Sequence, residues 1–286
     1  MPASINQQLN KIACKVRQDI LRMTVLSGSG HIAGSFSITD VLVTLYFNKI
    51  LRFDPKRPDW DKRDYFLLSN GHTCPALYAV LARSGYFPIE ELDSYAQLNS
   101  RLQGHPHFAY GSEQNLPGLE NTSGSLGQGI SQAAGVAWAM KMDGKNNQVF
   151  CMMSDGEQQE GQVWEAYTFI NYHHLDNFIG IIDCNNIQIS GPIKKVMPLR
   201  DLKLKLMSFG FLVLEADAHD FSDLEKKLTR AKENKNQATI ILSNSVAGRG
   251  VSFMENDSKW HSHIPSEKEY SQAIKELQIK EKIDVN

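Results

Sequence analysis

Five short apolar runs, at residues 65–68, 149–153, 178–182, 211–214 and 239–242, constrain this chain more than any other feature. Each has strand length and little polar interruption, and most are separated from the next by a helical pattern. Strands that are apolar throughout must be covered on both sides. The alternation therefore predicts an α/β fold, a doubly wound and mostly parallel sheet with helices on both faces.

Between residues 5 and 26, apolar side chains recur at Leu9, Ile12, Ala13, Val16, Ile20 and Met23. This is helical spacing, and Gly28 and Gly30 end it. Thr39 reads as the N-cap of a second helix through Ile50, followed by a loop containing Pro55 and Pro58. A charged amphipathic helix is expected at about 266–283. Residues 98–129 are rich in Gly, Ser, Asn and Gln and show little periodicity. So long a loop inside a compact fold points to function. No linker is visible, so residues 1–286 are expected to form a single domain.

The 30 basic and 32 acidic residues nearly cancel and form no long single-sign run, which argues against a nucleic-acid groove or a membrane-attracting patch. No stretch approaches the ~18 apolar residues of a membrane span, and a cytoplasmic location is expected. Cys14, Cys74, Cys151 and Cys184 make no CxxC pair, so neither a zinc ribbon nor a thioredoxin-like site is indicated. They read as buried, reduced thiols.

The strongest chemical signal is the apolar run ending in Ser154-Asp155-Gly156-Glu157, with a helix expected to begin near Glu157. Further along, a second strand ends in Asp183-Cys184-Asn185-Asn186. In a parallel sheet both ends lie on one carboxyl edge, where open α/β sheets bind ligands. Asp155 and Asn185 can therefore meet at one hard divalent cation such as Mg²⁺, which takes oxygen ligands from protein, phosphates and water. Gly156 allows the backbone to approach a diphosphate closely, and the following helix N-terminus adds amide donors. Asp-Gly after a strand is also a common turn. The pairing with Asn185 is what favours the cation.

Histidines form the second group. His31, His72 and His105 each follow a glycine in an expected loop, a setting suited to facing a ligand. His107, His173, His174 and His219 lack that setting and read as surface or capping residues. Wide spacing and the absence of H-E-x-x-H argue against zinc. No G-x-G-x-x-G after the first strand, P-loop or G-x-S-x-G elbow occurs.

Taken in order, these landmarks resemble the amino-terminal half of transketolase over about residues 17–265. The densest patches run from Arg63 to His72, from Gly124 to Ile130, from Ser154 to Gly161 and from Asp183 to Gly191. The resemblance implies the thiamine-diphosphate-binding fold, with the cofactor anchored through Mg²⁺, for which Ca²⁺ can substitute. It implies Asp155 and Asn185 as side-chain metal ligands, Ile187 as a carbonyl ligand, and Gly156 and His72 on the diphosphate. Gly124 and Leu126 match the loop that packs on the cofactor rings. His31 and His105 resemble histidines that face sugar hydroxyls, and Glu160 a carboxylate at the family's dimer interface. Trp260-His261-Ser262-His263-Ile264-Pro265 offers two candidates for the last active-site histidine. The count to Pro265 found in split subunits favours His261, placed at both substrate and cofactor, with His263 as the alternate.

Two local differences stand out. Ser154 replaces the first glycine of the family's Gly-Asp-Gly, and Ile32-Ala33 replaces the Pro-Gly after the first histidine. The family's second α/β domain, which supplies the glutamate that activates the cofactor, finds no room in this sequence. The resemblance is thus to the amino-terminal subunit of a two-polypeptide transketolase, transferring a two-carbon ketol unit from a ketose to an aldose. Its implied partners are a carboxyl-terminal subunit, a second copy in a two-plus-two assembly, and a sugar or sugar-phosphate substrate. Rival readings are a 2-oxo acid dehydrogenase component, a deoxyxylulose-phosphate synthase-like protein, a non-catalytic scaffold, and an unrelated metal-dependent hydrolase.

Overall fold

A computed structural model of the chain describes residues 4–283. Its strands are β1 (Tyr65–Leu68), β2 (Val149–Ser154), β3 (Phe178–Cys184), β4 (Ile187–Gln188), β5 (Gly191–Pro192), β6 (Leu212–Asp217) and β7 (Thr239–Asn244). Five of them form one parallel sheet in the order β1-β2-β3-β7-β6, and β4 and β5 pair as a small antiparallel hairpin. Helices α1 (Ile5–Ser27), α2 (Ile32–Phe47), α3 (Cys74–Arg83), α4 (Gln128–Met142) and α5 (Gly161–Tyr172) are followed by α6 (Ile193–Val196) and α7 (Leu202–Ser208). α8 (Phe221–Glu233) and α9 (Glu267–Ile283) complete the set.

Strand periodicity explains why the apolar runs are nearly continuous. Successive side chains point to opposite faces. Phe66, Leu68, Phe150, Met152, Ile179, Ile181 and Ile241 pack with α1, α2, α3, α8 and α9. Leu67, Val149, Cys151, Met153, Phe178, Ile182 and Ile240 pack with α4, α5 and α7. Both faces are covered, as the alternation predicts. Ala273 and Leu277 bring α9 into the first of these clusters.

Three sequence expectations change. α2 begins at Ile32, so Thr39 is a mid-helix residue whose hydroxyl donates to Ser35 O at 2.8 Å. Burial on every side from Ile32 to Tyr46 hides that start from any amphipathic pattern. Gly30, at φ +138°, turns the chain into α2, and a Cβ there would meet Thr24 Cγ2 at 2.4 Å. After Asp155 a short 3₁₀ turn, Gly156–Gln159, precedes α5, so the α-helix opens at Gly161 and not near Glu157.

His219 is the third correction, since its side chain is only 8% exposed and is not a surface group. Its Nε2 accepts the Val246 amide at 2.9 Å, so the neutral ring carries its proton on Nδ1, 2.7 Å from Asp40 Oδ2. Arg17 Nη2 donates to the same oxygen at 2.8 Å and to Phe36 O at 3.0 Å. Burial alone would raise the Asp40 pKa, yet the Arg17 charge and the His219 and Arg17 hydrogen bonds hold it well below the usual carboxylate range. The pair therefore contributes stability at neutral pH, and loses it only on acidification below that range. Asp40→Asn is expected to destabilise the fold by about 3–5 kcal/mol, because it leaves Arg17 buried without a counter-charge. Urea unfolding of the two proteins measures this.

Cys14, Cys74 and Cys151 are buried, while Cys184 at the end of β3 is half-buried. Among the described residues no helix is long and apolar enough to cross a membrane.

Candidate functional site

The register Ser154↔Asp183 and Cys184↔Asn244 brings the ends of β2, β3 and β7 to one carboxyl edge. Asp155 follows β2 and is buried. Its Oδ1 accepts from its neighbour Gly156 N at 2.8 Å and its Oδ2 from Asn186 N at 2.6 Å. Burial first, and then the charge of Asp183, push its pKa up to about 8, outweighing those amide bonds. A carboxyl held so high is costly to ionise with no positive charge beside it. A divalent cation supplies that charge, so the donor set fits one.

Asn185 is buried at the same edge, its Nδ2 donating to Asp183 Oδ2 at 2.6 Å and its Oδ1 accepting from Ile187 N at 2.9 Å. Asp183 also receives the hydroxyls of Ser37, at 2.6 Å, and of Ser245. Asp183 thus orients Asn185 much as an outer-shell carboxylate orients a metal ligand. Ile187 opens the β4–β5 hairpin, which rests on the Gly156 turn through Gln188, bonded to Gln159 at 2.9 Å. An Asp, an Asn and a carbonyl differ from a closed cage. Among the described residues no group of three or more His, Cys, Asp or Glu is disposed to hold an ion.

Four histidine rings meet beside this edge. His31 lies 5.1 Å from His72, 5.4 Å from His261 and 6.4 Å from His105, ring centre to ring centre, and His72 lies 5.4 Å from His261. His31 immediately precedes α2, His72 sits in the turn after β1, and His261 closes a 3₁₀ turn, Ser258–His261, that lies against β4. His263 is apart from them, meeting Trp260 edge-to-face at 4.9 Å between ring centres and lying 3.8 Å from Glu269.

Burial, then the neighbouring His261 and His105, lower the His31 pKa to about 4. His72 is pushed well below the ordinary value by burial and by His31, His261 and His105, and His261 is lowered by burial. These three rings are therefore neutral at pH 7, and the burial that keeps them so also makes them weaker bases than a free imidazole. His31 Nδ1, Ser123 Oγ and both polar atoms of Asn70 are buried without a hydrogen-bond partner among the described residues. Such orphaned atoms around one cleft are the mark of a ligand site.

Close approach fixes the glycine-rich wall. A Cβ on Gly71 would meet Ser123 Oγ at 2.6 Å, and one on Gly129 would meet Ser69 Cα at 2.5 Å. Gly124 backs onto His105, its Cβ position 3.7 Å from that ring. Gly124 is exposed and Leu126 half-buried, and Gln162 Nε2 donates to Leu126 O at 2.9 Å. Glu160 is exposed at the start of α5. Sequence reasoning missed Asp183, Asn70 and Ser123. Only Asp183 carried a signal, as an acid near the end of an otherwise apolar strand.

Comparison with known proteins adds the following. The family described as "Transketolase, thiamine diphosphate binding domain" matches residues 10–284. The chain is 39% identical to the 6-deoxy-6-sulfo-D-fructose transketolase subunit SqwG of a Clostridium species, over 88% of this chain and 89% of that one. It is 35% identical to one of the subunits of apulose-4-phosphate transketolase from Phocaeicola vulgatus, over 92% and 91% of the two chains. Its fold matches transketolase from Leishmania mexicana with a TM-score of 0.86 at 24% identity, covering 99% of this chain and 45% of that one.

Proposed function

The chain belongs to the transketolase thiamine-diphosphate-binding family, and on that footing we propose that it is the amino-terminal subunit of a two-component transketolase. The two relatives above are named as subunits and are matched over about nine-tenths of their length, which supports this division. Their names give different sugars, so they support the reaction class, ketol transfer from a ketose to an aldose. We take residues 1–286 as one diphosphate-binding unit.

The observation that carries the reading is the meeting of His31, His72, His105 and His261 at the carboxyl edge that also presents Asp155 and Asn185. Asp155, Asn185 and the Ile187 carbonyl would hold Mg²⁺, and Gly156 and His72 would face the diphosphate. Gly124 and Leu126 would lie against the cofactor rings. Thiamine diphosphate, when bound, supplies the carbanion chemistry. His31, His105 and His261 would orient substrate hydroxyls, and a neutral His31 or His261 can accept a hydroxyl proton and return it. His261, beside His72, would also touch the cofactor.

The partner reading has two parts. A carboxyl-terminal subunit would supply the activating glutamate and the second wall of the cleft. A second copy of this chain would pack on the α4–α5 face, where Trp138, Met142 and Tyr172 are 39%, 69% and 77% exposed, giving a two-plus-two assembly. A cytoplasmic setting suits a sugar-metabolising enzyme of this kind.

Titration of thiamine diphosphate with Mg²⁺ into the assembled enzyme tests the reading. Saturable binding is expected, and its absence in the unaltered enzyme sinks the proposal. His31→Ala and His105→Ala should bind the cofactor almost as well but lose about 10²–10⁴ in turnover efficiency, the range of one positioned proton-transfer group. Collapse of cofactor affinity in both variants would instead place these rings at the diphosphate.

A further inference from the structure

Glu157 is completely buried, yet it is a carboxylate with no cationic partner among the described residues. It lies two residues beyond Asp155 and joins three segments that converge on the site. Oε1 accepts the Ser69 hydroxyl, from the turn after β1, and the Gly127 amide at 2.6 Å, from the glycine-rich wall. Oε2 accepts the amide of Ser154, the last residue of β2, at 3.1 Å. Burial raises its pKa first of all, and the three donors that converge on its two oxygens work against that rise.

The segments so joined have little other freedom. Gly127 begins α4 at φ +80°, and a Cβ there would meet Gln162 Nε2 at 2.8 Å and Glu160 Cβ at 3.0 Å. Gln162 Oε1 in turn accepts from Gln128 Nε2 at 2.8 Å. The wall carrying Gly124 and Leu126 is thereby pinned to the turn carrying Asp155 and Gly156, with Glu157 as the only one of these links that is wholly buried.

We propose that Glu157 is a positioning residue whose carboxylate fixes the ring-packing wall, residues 124–127, against the diphosphate-binding turn, so that the two halves of the cofactor are held in register. The inference rests on the transketolase reading for the identity of the cofactor, but the anchoring itself does not. Both oxygens accept from backbone amides, which cannot reverse their direction as a hydroxyl can. Glutamine has the same shape but only one accepting oxygen. Either way round, its NH₂ faces a backbone N–H, and one amide is left without an acceptor.

Glu157→Gln, in the assembled enzyme, therefore separates anchoring from space filling. Exchange of the 124–128 amides, followed by mass spectrometry without cofactor, should quicken in the variant. Thiamine diphosphate at fixed Mg²⁺ should bind about tenfold more weakly or worse, ~1.4 kcal/mol. Inorganic pyrophosphate, which has no rings to pack on the wall, should change by less than about twofold. Unchanged exchange overturns the proposal whatever happens to binding. Equal losses for both ligands overturn it too, since Glu157 would then prop up the whole site without setting its register. Should Glu157→Gln fail to assemble, Ser69→Ala removes one donor with less disturbance and is read by the same exchange measurement. If the unaltered enzyme binds neither ligand, the transketolase reading fails, while the exchange comparison still decides the anchoring.

Discussion

Purified by itself, the chain is expected to show no measurable ketol transfer, and to gain it only when a carboxyl-terminal transketolase subunit is added. The described residues hold one five-stranded parallel sheet with its flanking helices, and every candidate ligand for metal and diphosphate lies on that sheet's carboxyl edge. The family's activating glutamate belongs to its other α/β domain. A partner subunit would supply that carboxylate, and one proton-transfer group of this kind is typically worth about 10²–10⁴ in rate. Water adds to the loss. Gly124 and Ser125 stand exposed on the cleft wall, and closing that wall against a second subunit would strengthen the electrostatics of the site. Mixing the two purified subunits, following assembly by light scattering and assaying with each omitted in turn measures the dependence. Robust turnover by this chain alone would refute it and would require an activating acid within residues 1–286.

How far the sequence alone leads differs between scaffold and site. Strands are legible because a buried parallel sheet demands apolar residues on both faces, and helices α1 and α9 because one side of each faces water. α2 misleads for the same physical reason. Buried all round, it shows no periodicity to mark its start, and Thr39 offers a plausible but false cap. In the site, Asp155 and Asn185 can be paired from strand ends alone. The grouping of His31, His72, His105 and His261 cannot, since dozens of residues separate most of them; glycine-flanked settings and the family resemblance suggest it. Least legible are the buried supports. Ser37 bonds Asp183 across 146 residues and Ser69 bonds Glu157 across 88, and no local pattern encodes such contacts. His219 misleads for this reason as well, its role being set by Asp40 at a separation of 179 residues.

Asp155→Ala should abolish tight binding of thiamine diphosphate in the assembled enzyme. The diphosphate is an anion approaching an edge that already carries two buried acids, Asp155 and Asp183, each with its pKa raised first of all by burial. Only a cation can bridge such a carboxylate to such a ligand without repulsion. Asp183 is the poorer candidate to take over, because its two oxygens already accept three hydrogen bonds, from Ser37, Asn185 and Ser245, against the two amide bonds at Asp155. Asn185 is neutral and held by Asp183, so it can complete a coordination shell but cannot supply the charge. Loss of a group one step removed from a metal usually costs 10–100-fold in affinity. For the proposed ligand itself, a fall of at least about 100-fold is expected on that scale. The mechanism makes a second demand. Chelating Mg²⁺ should weaken binding by a similar factor in the unaltered enzyme and by little more in the variant, because both treatments remove the same bridge and coupled losses do not add. Calorimetry with and without chelator gives all four values. Undiminished affinity in Asp155→Ala, or a full further loss on chelation, would show that the cation is held elsewhere and that the carboxyl edge does not anchor the cofactor through Asp155.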